Sequence, residues 1–246
     1  MDNPRVLVGC TTADVKKYCL GNYVEGLRKL TYKNFDVIIV DNSKTDKYAK
    51  EIAKLGFNVI KTPKRDQVGE SVVEGMNILR ELAIKEYDYF LSLEQDVIAP
   101  KNLIELLLET KKDIVTGIVP HVLTKDGELK NIALIGIEDR KNKGKYKYFD
   151  LESTVKNDGV IKVDFCAMTC LLMSKEVLKK IKFRVEIRDK KSHDPSKTTW
   201  HDICFCQDVK NKKMEIWANI AAKCQHIFYG GWCVTLGDTR GKFVKT

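Results

Sequence analysis

The sequence predicts an α/β protein, a single domain over residues 1–246 with a mostly parallel central sheet flanked by helices. Three observations carry that prediction. Strand-like and helix-like runs alternate four times between residues 1 and 110, the pattern of β-α units that cover both faces of a parallel sheet. The chain has 246 residues, enough to bury one sizeable core. Its hydrophobic residues, 43% against 31% charged, describe a folded chain rather than a disordered one.

Val6 to Gly9 is a short apolar run, and Thr11, Thr12 and Asp14 after it are helix-cap candidates. Val15, Cys19, Tyr23, Leu27 and Leu30 then recur at helical spacing. Phe35 to Val40 reads as a buried strand ending in Asp41-Asn42-Ser43. A short helix from about Asp46 to Leu55 is closed by Gly56, and Phe57 to Lys61 is the third strand. Gln67 to Lys85 is a longer helix with Val72, Val73, Met76, Leu79 and Ala83 on one face. Tyr89 to Leu93 is the fourth strand, and Pro100 opens a helix carrying Leu103, Ile104, Leu107 and Leu108.

The second half is less regular. Asp113 to Val119 and Asn131 to Ile137 are strand-like, and the polar, lysine-rich stretch Asp139 to Asp158 reads as a mobile loop or insertion. Strand-like sequence resumes from Val160 to Met173, with helices expected at Lys175 to Lys180 and Asp202 to Lys210. Met214 to Ala218 and Ala222 to Ile227 close the pattern, leaving a tail, 228–246, that contains Gly230, Gly231 and Gly237.

Lys and Arg total 43 against 34 Asp and Glu, a net charge of +9 concentrated between Arg140 and Lys147 and between Lys175 and Lys197. Such an excess attracts phosphates, acidic headgroups or nucleic acid, and equally describes a solvated, lysine-rich surface. No helix-turn-helix, zinc-finger or aromatic ribonucleoprotein pattern is present, so nucleic acid is not an expected partner. The longest uncharged stretch, Cys224 to Gly237, is too short and too polar for the about 20 apolar residues of a membrane-spanning helix. With no apolar signal region after Met1, the expectation is a cytoplasmic chain. The eight cysteines lack C-x-x-C spacing and fall mostly in apolar runs, so they are expected as reduced core residues.

In an open parallel sheet, ligands bind beyond the carboxyl ends of the strands. Thr11 and Thr12, Asp41-Asn42-Ser43 and Glu94-Gln95-Asp96 occupy those places, although each alone also suits a helix cap. The chain has no G-x-G-x-x-G after its first strand, no G-x-x-x-x-G-K-[ST] and no G-x-S-x-G. The glycine-rich loop of a sugar-nucleotide pyrophosphorylase is missing too. What remains is the acidic pair Glu94-x-Asp96 at a strand end, which can hold a hard divalent cation that also touches a diphosphate.

The run Tyr87 to Pro100, with Glu94-Gln95-Asp96 inside it, resembles the D-x-D segment of nucleotide-sugar glycosyltransferases with the GT-A (Rossmann-like) fold, closest to the family 2 type. Val6 to Thr12 and Val37 to Ser43 sit where that family places its first two strands and nucleotide contacts. Asp113 to Gly117 is similar to the strand that follows, Met173 to Leu178 to the element before the acceptor side, and Trp200 to Cys206 to the E-D segment. The resemblance runs over most of residues 5–227.

It implies a nucleotide-sugar-binding half at 1–110, an acceptor half at 111–227 and a tail at 228–246 that could close over bound donor. Asp41 would recognise the base, with Thr11 and Thr12 lining that pocket; Asn42 and Gln95 would also contact the nucleotide-sugar, and Glu94 would lie near the ribose or metal. Asp96 and His226 would hold Mn2+ or Mg2+, and Asp202 would be the general base that deprotonates an acceptor hydroxyl. Trp200 and Trp232 are candidates to stack on the acceptor. Read from the residues alone, Asp202 is equally a helix-start charge, His226 a core histidine and the tryptophans ordinary packing; His121 and His193 read as loop residues. Three departures from the family pattern stand out: Glu94 replaces the first Asp of D-x-D, His201 replaces the Glu of E-D, and Gly69 stands where relatives often carry an arginine, with Arg65 the candidate to compensate.

The implied activity is sugar transfer from a UDP- or GDP-type donor, with inversion at the anomeric carbon expected and retention the alternative, to a glycan, lipid-linked or protein acceptor, with room for peripheral membrane contact. A nucleotidyltransferase on the same fold, an inactive basic module binding anionic lipid or glycan, and a cysteine-bound zinc protein are the rival readings.

Overall fold

The computed structural model describes residues 3–125, 127–142, 144–189, 197–228, 232–235 and 242–245. In the first half β1 (Val6–Thr12), α1 (Leu20–Arg28), β2 (Phe35–Asp41), α2 (Lys47–Lys54), β3 (Asn58–Lys61), α3 (Val68–Glu86), β4 (Tyr89–Leu93), β5 (Val97–Ile98) and α4 (Leu103–Leu108) follow in turn. β6 (Ile114–Ile118), β7 (Pro120–Lys125), β8 (Glu128–Glu138), β9 (Tyr146–Asp150), α5 (Leu151–Val155), β10 (Val160–Val163), β11 (Phe165–Cys166) and β12 (Cys170–Ser174) come next. The chain continues through α6 (Lys175–Lys180), β13 (Glu186–Ile187), β14 (Thr198–Thr199), α7 (His201–Asn211), β15 (Ile216–Lys223), β16 (Gln225–Phe228), β17 (Trp232–Thr235) and β18 (Lys242–Lys245).

Eight strands form the central sheet in the order β10-β15-β6-β12-β4-β1-β2-β3. Only β12 and β10 run against the others: β12 is antiparallel to β4 and β6, and β10 to β15. The sheet is therefore mixed but mostly parallel, as the alternation of the first half predicts. Strand residues divide with period two between its faces. Val6, Val8, Leu91 and Leu93 join one core cluster with α1 and α4, while Leu7 and Phe90 join the other with α3, α6 and α7. Seven cysteines, Cys10, Cys19, Cys166, Cys170, Cys204, Cys206 and Cys224, are buried free thiols, in keeping with their apolar surroundings.

Two expectations need correction. The helix expected from Val15 is broken into a 3-10 helix at Asp14–Cys19 followed by α1. Gln95 Nε2 donates to Lys16 O at 2.6 Å, taking the carbonyl that an α-helical turn would use, and Val15 is 70% exposed rather than facing the core. The stretch Asp139 to Asp158 is not a loop throughout: it holds β9, paired with β8, and α5, whose first turn is capped by Asp150 accepting from Ser153 N. Tyr146 and Tyr148 pack on Phe165 with ring centroids 5.0 and 5.3 Å away, while the exposed Lys145 and Lys147 gave the segment its loop-like polarity.

Candidate active site

β4 ends at Leu93, and the chain turns through Glu94-Gln95-Asp96 into the two-residue β5. β5 pairs antiparallel with β16, His226 opposite Val97, and Ile227 N donates to Asp96 O at 2.8 Å. That pairing brings a histidine 130 residues away in sequence onto the acidic turn: His226 Nε2 is 3.6 Å from Asp96 Oδ2. Glu94 N donates to Thr169 O at 3.0 Å, which ties the turn to the loop before β12. Asp202, in the first turn of α7, completes the rim. Glu94, Asp96, His121, His201, Asp202 and His226 line one cleft of about 330 Å³, closed on one side by Phe228.

The two acids differ in environment. Burial pushes Glu94 up to about 7, and the neighbouring Asp96 and Asp202 add to the rise, while Lys16 and His226 oppose it. Burial acts on Asp96 in the same direction, but His226 and Lys16 outweigh it and hold Asp96 down at about 2. One acid of the pair is thus firmly ionised and the other is poised near neutrality. His226 is itself lifted above its ordinary value: burial lowers it, but Asp96 and the Pro120 carbonyl outweigh that. His121 and His201 are lowered by burial, with His226 adding to the effect on His121 and Asp202 opposing it on His201.

The sequence left His121 as a loop residue and recorded His201 only as a departure. Both lie in the cleft, His121 on β7 with its ring 5.7 Å from that of His226. The sequence of β7, Pro120-His121-Val122-Leu123-Thr124-Lys125, carries no clean alternation that could have marked His121.

The nucleotide-side candidates sit apart from this cleft. Asp41 is wholly buried; its Oδ1 accepts from Ser43 N at 3.0 Å and from the Ser43 hydroxyl, and Oδ2 has no hydrogen bond. Asn42 N donates to Thr12 O at 2.9 Å, and Thr11 and Asn42 are half-buried at the ends of β1 and β2. Gln95 is a correction. It is 1% exposed, its Oε1 accepts from Thr12 and Tyr48, and its Nε2 donates to Lys16 O, so no polar atom is left for a donor sugar. Within the turn Glu94 and Asp96 line the cleft while Gln95 packs inward, where it braces Thr12, Tyr48 and the 3-10 helix.

Arg65 is a second correction. Its guanidinium makes two 2.8 Å bonds to Glu74 and lines a separate cleft with Phe183 and Val185. Gly69 packs closely: a Cβ there would stand 3.0 Å from Val185 Cγ2, so a larger residue would need Val185 to give by a few tenths of an ångström. Trp200 precedes α7 without lining the cleft. Trp232 lies in β17, but its side chain is outside the described residues, as are His193 and most of the tail beyond Phe228.

A divalent cation fits this donor set. Asp96 Oδ1 is buried without a hydrogen bond, an open carboxylate oxygen beside an imidazole. Pro120 O can only accept, so His226 Nδ1, 2.9 Å from it, carries the proton and Nε2 is left facing Asp96. Among the described residues no three His, Cys, Asp or Glu converge as a complete cage. A cation held by one or two protein groups plus substrate phosphates needs no such cage, and mixed carboxylate and imidazole donors suit manganese.

No described helix is long and apolar enough to cross a membrane. The fold is shared with GalNAc-T7, solved with UDP, GalNAc and Mn2+: TM-score 0.65 at 13% identity, over 92% of this chain and 44% of that one. The chain therefore spans less than half of GalNAc-T7. A197 from STIV superposes with a TM-score of 0.51 at 14% identity over 98% of this chain and 93% of that one. No curated protein matches the chain in sequence. The family described as glycosyl transferase family 2 matches over residues 16–182, which include the acidic turn and six strands of the central sheet. With a GT-A fold and a family match over more than half its length, the chain belongs to glycosyl transferase family 2.

Proposed function

We propose that the protein transfers a sugar from a nucleoside-diphosphate sugar to an acceptor hydroxyl, with Asp202 as general base and a divalent cation held by Asp96 and His226. The observation that carries the proposal is the cleft itself, where Glu94 and Asp96 from the first half meet His226 and Asp202 from the second. In the displacement, Asp202 takes the hydroxyl proton as the acceptor oxygen bonds to the anomeric carbon. The bond from that carbon to the diphosphate oxygen breaks, its electron pair leaves with the diphosphate, and the configuration inverts. When bound, the cation supplies charge neutralisation to that leaving group.

The only hydrogen bond of the Asp202 carboxylate among the described residues is to Ile203 N at 2.8 Å, made by Oδ1, which fixes the side chain at the start of α7. Glu94 lies beside Asp96 where the ribose or metal would be met. UDP is the base to try first, because the GT-A fold of GalNAc-T7 was solved with UDP and Mn2+; GDP is the alternative. The test is hydrolysis of UDP-linked and GDP-linked sugars with Mn2+, Mg2+ or chelator. Metal-dependent release of free sugar that disappears in Asp96→Asn supports the reading, and absence of hydrolysis and of nucleotide binding alike would reject it.

A further inference from the structure

Lys16 has no part in the chemistry above, yet its ammonium hydrogen-bonds Asp96 Oδ2, the oxygen that faces His226. The position is built rather than incidental. Lys16 O accepts from Gln95 Nε2 at 2.6 Å and from Cys19 Sγ at 3.0 Å, and Gln95 is held in turn by Thr12 and Tyr48. The segment that carries both acids therefore also sets the backbone of Lys16. The lysine side chain is 33% exposed, so it has a path outward, whereas the Asp96 side chain is 8% exposed and has none. The ammonium leaves Asp96 Oδ1 without a hydrogen bond, so one oxygen of this carboxylate is still unmatched.

We propose, building on the transferase reading, that Lys16 is a built-in counter-cation that a divalent metal must displace from Asp96, and that the released ammonium then turns to the diphosphate of the donor. Two cations on one buried carboxylate repel each other strongly at low dielectric. Metal alone therefore competes with Lys16, whereas metal arriving with a diphosphate brings the negative charge that receives the lysine. Binding of metal and of nucleotide is coupled through this one side chain, and by linkage each tightens the other equally.

The experiment is a titration of Mn2+ by electron paramagnetic resonance, with and without UDP, on the full chain, Lys16→Met, Lys16→Ala and Asp96→Asn. Removing the ammonium is expected to tighten Mn2+ binding in the absence of UDP by about tenfold or more. UDP is expected to strengthen Mn2+ binding in the wild-type chain markedly more than in either lysine variant. Equal Mn2+ affinity in the wild type and both variants without UDP overturns the role of Lys16. If Mn2+ still binds with UDP in that case and Asp96→Asn abolishes it, the transferase reading stands alone. Failure of every protein to bind Mn2+, with or without UDP, removes both.

Discussion

Residues up to α4 and residues from β6 onward reach the same cleft by different routes. In the first half each polar cluster follows its own strand: Glu94 and Asp96 enter the cleft from the end of β4, while Thr12 and Asp41 end β1 and β2 apart from it. In the second half His121, Asp202 and His226 come from a hairpin strand, a helix start and a short strand paired back onto β5. Their positions depend on pairings between residues far apart in sequence. The first half thus supplies Glu94 and Asp96 to the cleft, and the second supplies Asp202 and the imidazoles. The proposed chemistry requires both, and each half contributes four strands to the central sheet.

That division can be broken at several points. The largest effect is expected in the second half: Asp202→Asn should lower kcat by roughly 10²–10⁴-fold with little change in donor KM, as measured in steady-state sugar transfer. A change confined to KM would remove Asp202 from the role of base. For stability the order reverses. Leu91→Ala, in the fully buried centre of β4, should cost ~2–5 kcal/mol in denaturant unfolding. Tyr148→Ala, 37% exposed on β9 and touching Phe165 edge-on, should cost only ~0.5–1.5 kcal/mol. Equal losses would contradict the difference in burial between these two positions.

A subtler effect concerns Glu94. Its folded-state pKa, about 7, lies above the ordinary 4.5, so the folded chain holds this proton more tightly than the unfolded one. Stability from this group is present at low pH and is lost as the pH rises through that interval. Glu94→Gln is therefore expected to raise Tm at pH 8, with the gain shrinking towards pH 4.5; a gain independent of pH would contradict the burial argument. The smallest effect belongs to Arg65→Ala. Its ion pair with Glu74 is largely solvent-exposed, worth ~0–1 kcal/mol, and the Tm response to UDP should be unchanged.

How much of this was legible in the sequence follows the same division. The β-α elements of the first half and the acidic pair Glu94 and Asp96 at a strand end were readable, because apolar periodicity and strand-end position are local properties, whereas Asp202 and His226 were named only through the family resemblance. The inward turn of Gln95 was not, since it depends on Tyr48 and Lys16 meeting it across two other elements. β9 was hidden by exposed lysines, and β7 by a length and polarity that suit a loop equally well. His121 was missed with its strand. Lys16 was invisible as a site residue because the regular helix expected there does not form.

The central claim is that the two halves meet in one metal-dependent nucleotide-sugar site. Its most direct test is thermal stabilisation of the wild type and Asp96→Asn by a panel of nucleoside diphosphates, each with Mn2+, Mg2+ or chelator. A ligand at about 100 times its Kd adds roughly 2.7 kcal/mol to the folded state, a readable shift. The account predicts a shift with one nucleotide that needs the metal and vanishes in Asp96→Asn. No shift with any nucleotide, or one that survives both chelator and Asp96→Asn, would contradict it.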